Sequence, residues 1–202
     1  MDKYTEKILV VPRKILFSGK APQGFIPATR FDPFEIIISD NMQFHVRNDM
    51  EQDPTYKQII NYYIFSCHNK YFLMRRRETA SEERLKNKYS LGIGGHLRQE
   101  DVTGVSIASW GWREFVEEVS YQGNVHIKPL GLVNDDSNAV GQVHTGFVFL
   151  LEGDQEEISV KSELKEGFLV SIEELETYFD RMEPWSQLVF THLKTVHKGK
   201  IS

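Results

Sequence analysis

The sequence predicts an α/β protein, and three observations carry that prediction. Short runs rich in β-branched and aromatic residues recur along the chain, bounded by glycine, proline, asparagine and aspartate. Between them, Ala108, Trp112, Phe115, Val116 and Val119 recur at helical spacing and form one apolar stripe. Towards the end, Ser171-x-x-Glu174 is a capping box that opens a helix, and Pro184 suits the first turn of another.

Taken in order, residues 1–54 read as a β-rich extension packed on a main domain of residues 55–202. Ile8 to Val11, Ile15 to Phe17, Phe34 to Ser39 and Met42 to Arg47 are strand-like, with Asp40-Asn41 as a hairpin turn between the last two. Pro22, Gly24, Pro27 and Pro33 interrupt the stretch. The extension can serve as a structural cover, as a wall of a substrate pocket or as a homodimer interface. Asp53-Pro54 closes it. Ile59 to Ser66 and Tyr71 to Arg76 then predict a hairpin across His68-Asn69-Lys70.

Arg75, Arg76 and Arg77 end that hairpin. Guanidinium groups bind phosphate oxygens in bidentate fashion. Strand alternation keeps all three from facing one ligand, which leaves Arg75 and Arg77 as substrate-binding candidates. A solvated strand end is the other reading. Glu78 to Lys88 is a polar loop, Tyr89 to His96 a strand, and Leu97 to Val105 a loop leading to a helix from near Ser106. Ile127 to Val133 is the next strand, and Asp135 to Asn138 a turn. Val143 to Leu151 is a largely buried strand with His144 just inside it. His144 is a candidate general base or substrate contact, or a core-edge histidine with one hydrogen bond. Glu152 to Glu157 is an acidic loop and Gly167 to Val170 a last short strand. Helices follow over Ile172 to Phe179 and Pro184 to Lys198. Leu188, Val189, His192, Leu193 and Val196 form the inner face of the second.

A chain of 202 residues is one domain, or one domain with an added N-terminal piece. Hydrophobic content of 40% and charged content of 26% are ordinary for a globular protein in water. A formal charge of −5 argues against binding a nucleic-acid duplex, which calls for a basic excess. No apolar run has the length of a membrane span, and the N-terminus lacks a signal-peptide layout. The single Cys67 has no internal disulfide partner and sits in a strand-like run, as a buried thiol does. These features together predict a cytoplasmic protein.

The chemistry concentrates in the helix. Glu114, Glu117 and Glu118 stand at i, i+3 and i+4 and share one face. The 114/118 pair costs a few tenths of a kcal/mol in a bare helix. Arg113 reaches Glu117, but one arginine does not neutralise three acids. Carboxylates are the ligands that Mg²⁺ and Mn²⁺ prefer, and Mg²⁺ bridges them to substrate phosphates. A solvated acidic face is the bland alternative. The glycine-rich run YSLGIGGH just before, and the polar loop that follows it, favour the metal.

With that context, Arg113-Glu114-Phe115-Val116-Glu117-Glu118 resembles the R-E-U-x-E-E core of the Nudix (MutT-like) hydrolases, where U is a bulky aliphatic residue. Phe115 replaces an aliphatic, Ser120 the glycine after the glutamates, and Tyr121 the aliphatic after that. The family's box glycine corresponds to Gly95, and the loop from Gly95 to Arg113 is longer than the pattern by about four residues. The acid expected in that loop has two candidates, Glu100 and Asp101. The GIGGH lead-in resembles a subgroup known only as predicted phosphoesterases.

The resemblance implies a Nudix-type α/β/α sandwich with a mixed sheet and a metal-dependent hydrolase that cleaves a diphosphate linkage in a small molecule. It implies that Glu114, Glu117, Glu118 and the Gly95 carbonyl hold Mg²⁺ or Mn²⁺, with Arg113 orienting the glutamates. A Nudix-fold binding module that senses a nucleotide without catalysis is the alternative, and the intact carboxylates argue against it. Isomerase chemistry of the isopentenyl-diphosphate type shares the fold, but no cysteine is placed for it.

Overall fold

Strands and helices are interspersed along the chain. The computed structural model describes residues 5–30, 32–76, 88–104, 106–161 and 164–201. The chain opens with β1 (Lys7–Pro12), α1 (Arg13–Leu16), β2 (Gly24–Pro27), α2 (Asp32–Asn41), β3 (Gln43–Val46) and α3 (Arg47–Met50). The long strand β4 (Tyr56–Cys67) turns into β5 (Lys70–Arg76), and β6 (Tyr89–Ser90) and β7 (Gly92–His96) follow. Next come α4 (Ile107–Trp110), α5 (Trp112–Glu118), β8 (Val119–Tyr121), β9 (Val125–Asn134), α6 (Ala139–Val143) and β10 (His144–Gly153). The chain ends with β11 (Ile158–Val160), β12 (Leu164–Val170), α7 (Ile172–Glu176) and α8 (Pro184–Ile201). This is the α/β class with a mixed sheet.

The chain divides into two compact units, and the division falls inside α5, between Arg113 and Glu114. The first unit comprises Met1–Tyr62, Gly94–Arg113 and Pro129–Phe149, and the second Tyr63–Ile93, Glu114–Lys128 and Leu150–Ser202. In the first, β1 runs antiparallel to β3 (Leu9↔Phe44) and to the start of β4 (Val11↔Lys57). There β2 runs antiparallel to the end of β9 (Phe25↔Val133). Ile8, Leu9, Val10, Ile38, Ile59, Val133 and Phe147 are buried in this unit.

In the second unit, β12 lies antiparallel on β5 from Leu164↔Arg76 to Val170↔Tyr71. The β4–β5 hairpin closes at Cys67↔Lys70 through His68 and Asn69, whose φ values of 47° and 64° make the tight turn its length demands. Phe65, Phe72, Leu73, Leu175 and Val189 are buried here. Ser171 caps α7 reciprocally with Glu174, as the S-x-x-E pattern requires. No helix among the described residues is long and apolar enough to cross a membrane.

Several elements differ from the sequence expectation, each for a local reason. Ile15 to Phe17 lies in and just past the one-turn helix α1, which buries Leu16 and leaves Ile15 exposed. Phe34 to Ser39 belongs to α2, so Asp40-Asn41 is a helix end rather than a hairpin turn. Pro33 sits in the first turn of α2, a placement proline favours. Ile38 is buried one turn from Phe34, which packs edge-on against Phe17 at 6.1 Å. Packing on α1 thus overrides the β propensity of three consecutive isoleucines.

The helix expected from Ser106 onward is two, α4 and α5, with Gly111 between them as the C-cap of the first. The break shifts the phase. Ile107 and Trp110 are buried, while Trp112 and Val116, expected on the inner stripe, are 36% and 46% exposed. Val119 is buried but already belongs to β8, which pairs with β11. In α8, Phe190 takes an inner position and Val196 faces out. The polar loop expected over Glu78 to Lys88 lies outside the described residues except for Lys88 itself.

Candidate functional site

The glycine-rich strand and its loop are tied down within the first unit. Gly94 passes so close to β4 that a Cβ on it would sit 2.3 Å from the Asn61 carbonyl oxygen. The next residue, Gly95, is the sequence-predicted carbonyl ligand, and it therefore sits on a strand held at backbone distance. The loop is then fixed three times. Leu9 N–H donates to Leu97 O at 2.7 Å. The Arg98 guanidinium pairs with both oxygens of Glu6 at 3.1 and 3.0 Å. Asp101 accepts from Arg98 N–H at 2.9 Å, capping the short turn Gln99–Asp101.

Arg113 closes this construction. Its Nε and Nη2 each donate to Asp101 at 2.9 Å, one to each carboxylate oxygen, and Nη2 also reaches His96 O at 3.3 Å. Asp101 is nearly buried and Glu100 is exposed, so of the two candidate acids in the lengthened loop it is Asp101 that the fold engages.

In the second unit α5 turns Phe115 inward, where it stacks on Phe65 and meets Tyr63 edge-on. The opposite side carries Glu114 and Glu118, both half-buried, and Glu117, exposed. Lys161 crosses the helix end: its Nζ donates to Val116 O at 2.6 Å and its backbone N–H to Glu118 O at 2.7 Å. That satisfies carbonyls a helix C-terminus leaves over and places a cation where the helix dipole favours one. Arg75 lies on β5, bonded to Glu166 at 3.3 Å and 5.8 Å above the Tyr89 ring. Arg77, the other phosphate-binding candidate, lies outside the described residues.

His144 stands in the first unit with His96. It is 7% exposed, and its Nδ1 lies 2.8 Å from Val140 O. A carbonyl only accepts, so Nδ1 carries the proton and Nε2 is the lone-pair nitrogen of the neutral ring. That Nε2 is 3.1 Å from His96 Nε2, which in turn is 2.7 Å from Gln58 Oε1. Ligand atoms of Glu51, His96 and His144 lie within 4.8 Å of one another.

A buried cation supports this cluster from behind. Lys57 is fully buried, and its three N–H bonds go to Asp136 Oδ1 (2.7 Å), Gly141 O (2.7 Å) and His144 O (3.2 Å). Burial holds the Lys57 ammonium below its usual pKa, and Asp136 restores part of the loss. Burial alone would raise the Asp136 carboxyl, but hydrogen bonds from Arg13 and Lys57 outweigh it and hold the group below its usual range. Sequence reasoning missed Glu51, Lys57 and Gln58. The one available signal was polar side chains at 57, 58 and 61 inside an otherwise apolar strand.

Comparison with known proteins fits this geometry. The chain is 34% identical over 206 residues to Protein YmaB of Bacillus subtilis (strain 168), covering 94% of this chain and 98% of that one. It is 30% identical to the solved structure of Tm1382, described as a candidate Nudix hydrolase, with a TM-score of 0.80 over 95% of this chain and 100% of that one. The MutT protein of Methanosarcina mazei Go1 shares the fold at 18% identity and a TM-score of 0.51, over 70% and 96% of the two chains. So does the NUDIX domain of Shewanella oneidensis NrtR, solved with ADP ribose, at 13% identity and a TM-score of 0.50, over 71% and 86%. No family model matches the sequence. Fold and likeness together define a hydrolase of the class that acts on phosphoanhydride bonds. The chain belongs to the Nudix hydrolase family.

Proposed function

We propose that the protein is a divalent-metal-dependent pyrophosphohydrolase that cleaves a nucleoside diphosphate linked to a second group. The observation that carries this reading is that Glu114, Glu117 and Glu118 share one short helix, α5, in a chain of the Nudix family. Three carboxylates form an all-oxygen donor set, which fits Mg²⁺ or Mn²⁺ and not a thiophilic metal. In this reading Glu114, Glu117 and Glu118 hold the ion. When bound, it supplies charge neutralisation of the diphosphate and a more acidic water.

The chain's own residues do the rest. Arg113 acts as a positioning residue: fixed by Asp101, it holds the loop after Gly95 and the first turn of α5 in one conformation. Arg75 offers a guanidinium to a substrate phosphate from the end of β5. His144 is the third substrate-binding candidate, beside Arg75 and Arg77. Glu117 is the most exposed of the three carboxylates.

The test is a screen over nucleoside diphosphate derivatives with Mg²⁺ and with Mn²⁺, in which the phosphomonoester products are read as the phosphate that a coupling phosphatase releases from them. ADP ribose, the compound held by the NrtR domain, comes first. Glu117→Gln should lower turnover by about a hundredfold or more with circular dichroism and melting close to wild type. A substrate turned over at full rate by that variant would overturn the assignment.

A further inference from the structure

We infer that Glu51, His96 and His144 form a second metal site, for a transition-metal dication of the Zn²⁺ type, chemically distinct from the all-carboxylate set of α5. All three residues lie in the first unit, so the site is complete there. It does not rest on the proposed hydrolysis.

The geometry is that of ligands around an ion. The two imidazole Nε2 atoms face each other at 3.1 Å, and the three ligand atoms lie within 4.8 Å of one another. A tetrahedral Zn²⁺ with bonds of about 2.0–2.1 Å has ligand–ligand edges of roughly 3.4 Å. The imidazole pair is already close to that spacing. Glu51 is partly exposed at the C-cap of α3, and rotation about its side-chain bonds closes the triangle.

The tautomer is set in advance on one side. Val140 O fixes the proton of His144 on Nδ1 and directs the Nε2 lone pair inward, as a carbonyl behind a metal-bound histidine does. The Lys57 ammonium donates to the His144 carbonyl and fixes the backbone there, and Asp136 offsets its charge. On the other side, Gln58 is fully buried and its Nε2 donates to Met50 O at 3.0 Å, so its Oε1 points at His96 Nε2. Without metal, His96 Nε2–H donates to Gln58 Oε1. On binding, that proton leaves Nε2 for solvent, and the Gln58 oxygen becomes an available fourth donor. Arg47, 3.2 Å from Glu51, is the cation that an incoming metal displaces from the carboxylate.

Donor type selects the ion. Two imidazoles with a carboxylate suit Zn²⁺, Co²⁺ or Fe²⁺, whereas Mg²⁺ prefers oxygen alone. The nearest competing account is a histidine pair that only hydrogen-bonds to itself.

The experiment titrates metal-free protein with Zn²⁺ by calorimetry and with Co²⁺ by visible absorption, and follows the histidine ring nitrogens by NMR. Wild type should bind Zn²⁺ and give the intense visible band of low-coordinate Co²⁺. His96 and His144 Nε2 resonances should shift while His144 Nδ1 stays protonated. His96→Gln and His144→Gln should each weaken Zn²⁺ binding by about 100-fold or more, and Gln58→Met, which removes only the neutral fourth donor, should weaken it less. Glu117→Gln should leave it in place. If one histidine variant fails to fold, the other and the wild-type ring-nitrogen shifts still decide. Zn²⁺ that binds without moving either Nε2, that survives both histidine variants, or that is lost in Glu117→Gln would overturn the proposal, as would no binding at all.

Discussion

Asp101 receives two parallel hydrogen bonds from Arg113, each 2.9 Å long, and so joins the loop after the glycine-rich strand to the first turn of the glutamate helix. The carboxylate is nearly buried and the guanidinium about four-fifths so, which makes the pair worth more than a surface contact. Asp101→Asn keeps the shape and loses one charge-assisted bond, leaving Arg113 partly unpaired. The expected cost is about 2 kcal/mol, or a fall in melting temperature of roughly 4–8 °C for a chain of this size. Turnover should fall roughly tenfold or more, as when an outer partner of a metal site is removed. Glu100→Gln, on the exposed neighbour, should stay within about 0.5 kcal/mol of wild type. Equal effects of the two substitutions on melting would remove Asp101 from its place as the loop's structural acid.

What the sequence made legible was local. The β4–β5 hairpin, the strand β7, the capping box of α7 and the C-terminal helix all follow from periodicity and turn chemistry, which act over a few residues. The R-E-x-x-E-E run was legible because its chemistry is packed into six consecutive positions. Long-range relationships were not. Nothing in the order of residues says that Asp101 rather than Glu100 meets Arg113, since adjacent residues leave the turn in different directions. Helix α2 was misread because Phe34, Ile36, Ile37 and Ile38 have β propensity in isolation, and only packing on α1 makes them helical. The cluster of Glu51, Gln58, His96 and His144 gathers residues from four separate stretches, and no sequence spacing marks it.

Asp136 contributes to the acid sensitivity of the first unit. Its carboxylate is bonded to Arg13 and to the buried Lys57, and its pKa in the folded protein lies below its usual value. The folded state therefore favours the charged form. The contribution is complete above the ordinary aspartate pKa of about 3.9 and disappears as pH falls through the lower folded value. Asp136→Asn should flatten that part of the acid-unfolding curve. At neutral pH it should also cost about 3–5 kcal/mol, because Lys57 stays buried without its carboxylate. Adding Lys57→Met removes the stranded charge and should recover a large part of the loss. Denaturant melts from about pH 2 to 7 check all three. An unchanged acid slope in the single variant would show that other carboxylates govern it.

Gly94 is required by space rather than by φ. A methyl group there would press on the Asn61 carbonyl, which is strand backbone and cannot turn away. Gly94→Ala should force β7 off β4 and destabilise the protein by about 2 kcal/mol or more, within the range for overpacking. Gly104→Ala makes the useful contrast, since its φ of +71° strains a side chain but nothing lies within 4 Å of the added carbon. That loop change should cost roughly 1 kcal/mol. Matched urea melts separate them, and a Gly94→Ala protein as stable as wild type would mean that the close approach is not maintained in solution.

The last prediction separates a metal-binding face of α5 from a merely solvated acidic one, and it needs no substrate. An ion that binds only the native state stabilises it by RT ln(1 + [L]/Kd), which is about 2.7 kcal/mol at a hundredfold excess over Kd. For a chain of this length that raises the melting temperature by roughly 5–10 °C. Glu118→Gln retains the side chain's shape and the backbone carbonyl that Lys161 caps, but removes one of the three charges. Whatever the substitution does to the metal-free protein cancels when each protein is compared with itself, with and without Mg²⁺ at matched ionic strength. If Glu118 is a ligand, the variant should lose most of the Mg²⁺-dependent rise. On a solvated face, Mg²⁺ adds little beyond the screening that the matched ionic strength already supplies, and both proteins should shift alike by a small amount. Equal shifts would therefore remove Glu118 from the ligand set. The Zn²⁺ site at His96 and His144 does not confuse the result, because imidazole donors give Mg²⁺ little purchase.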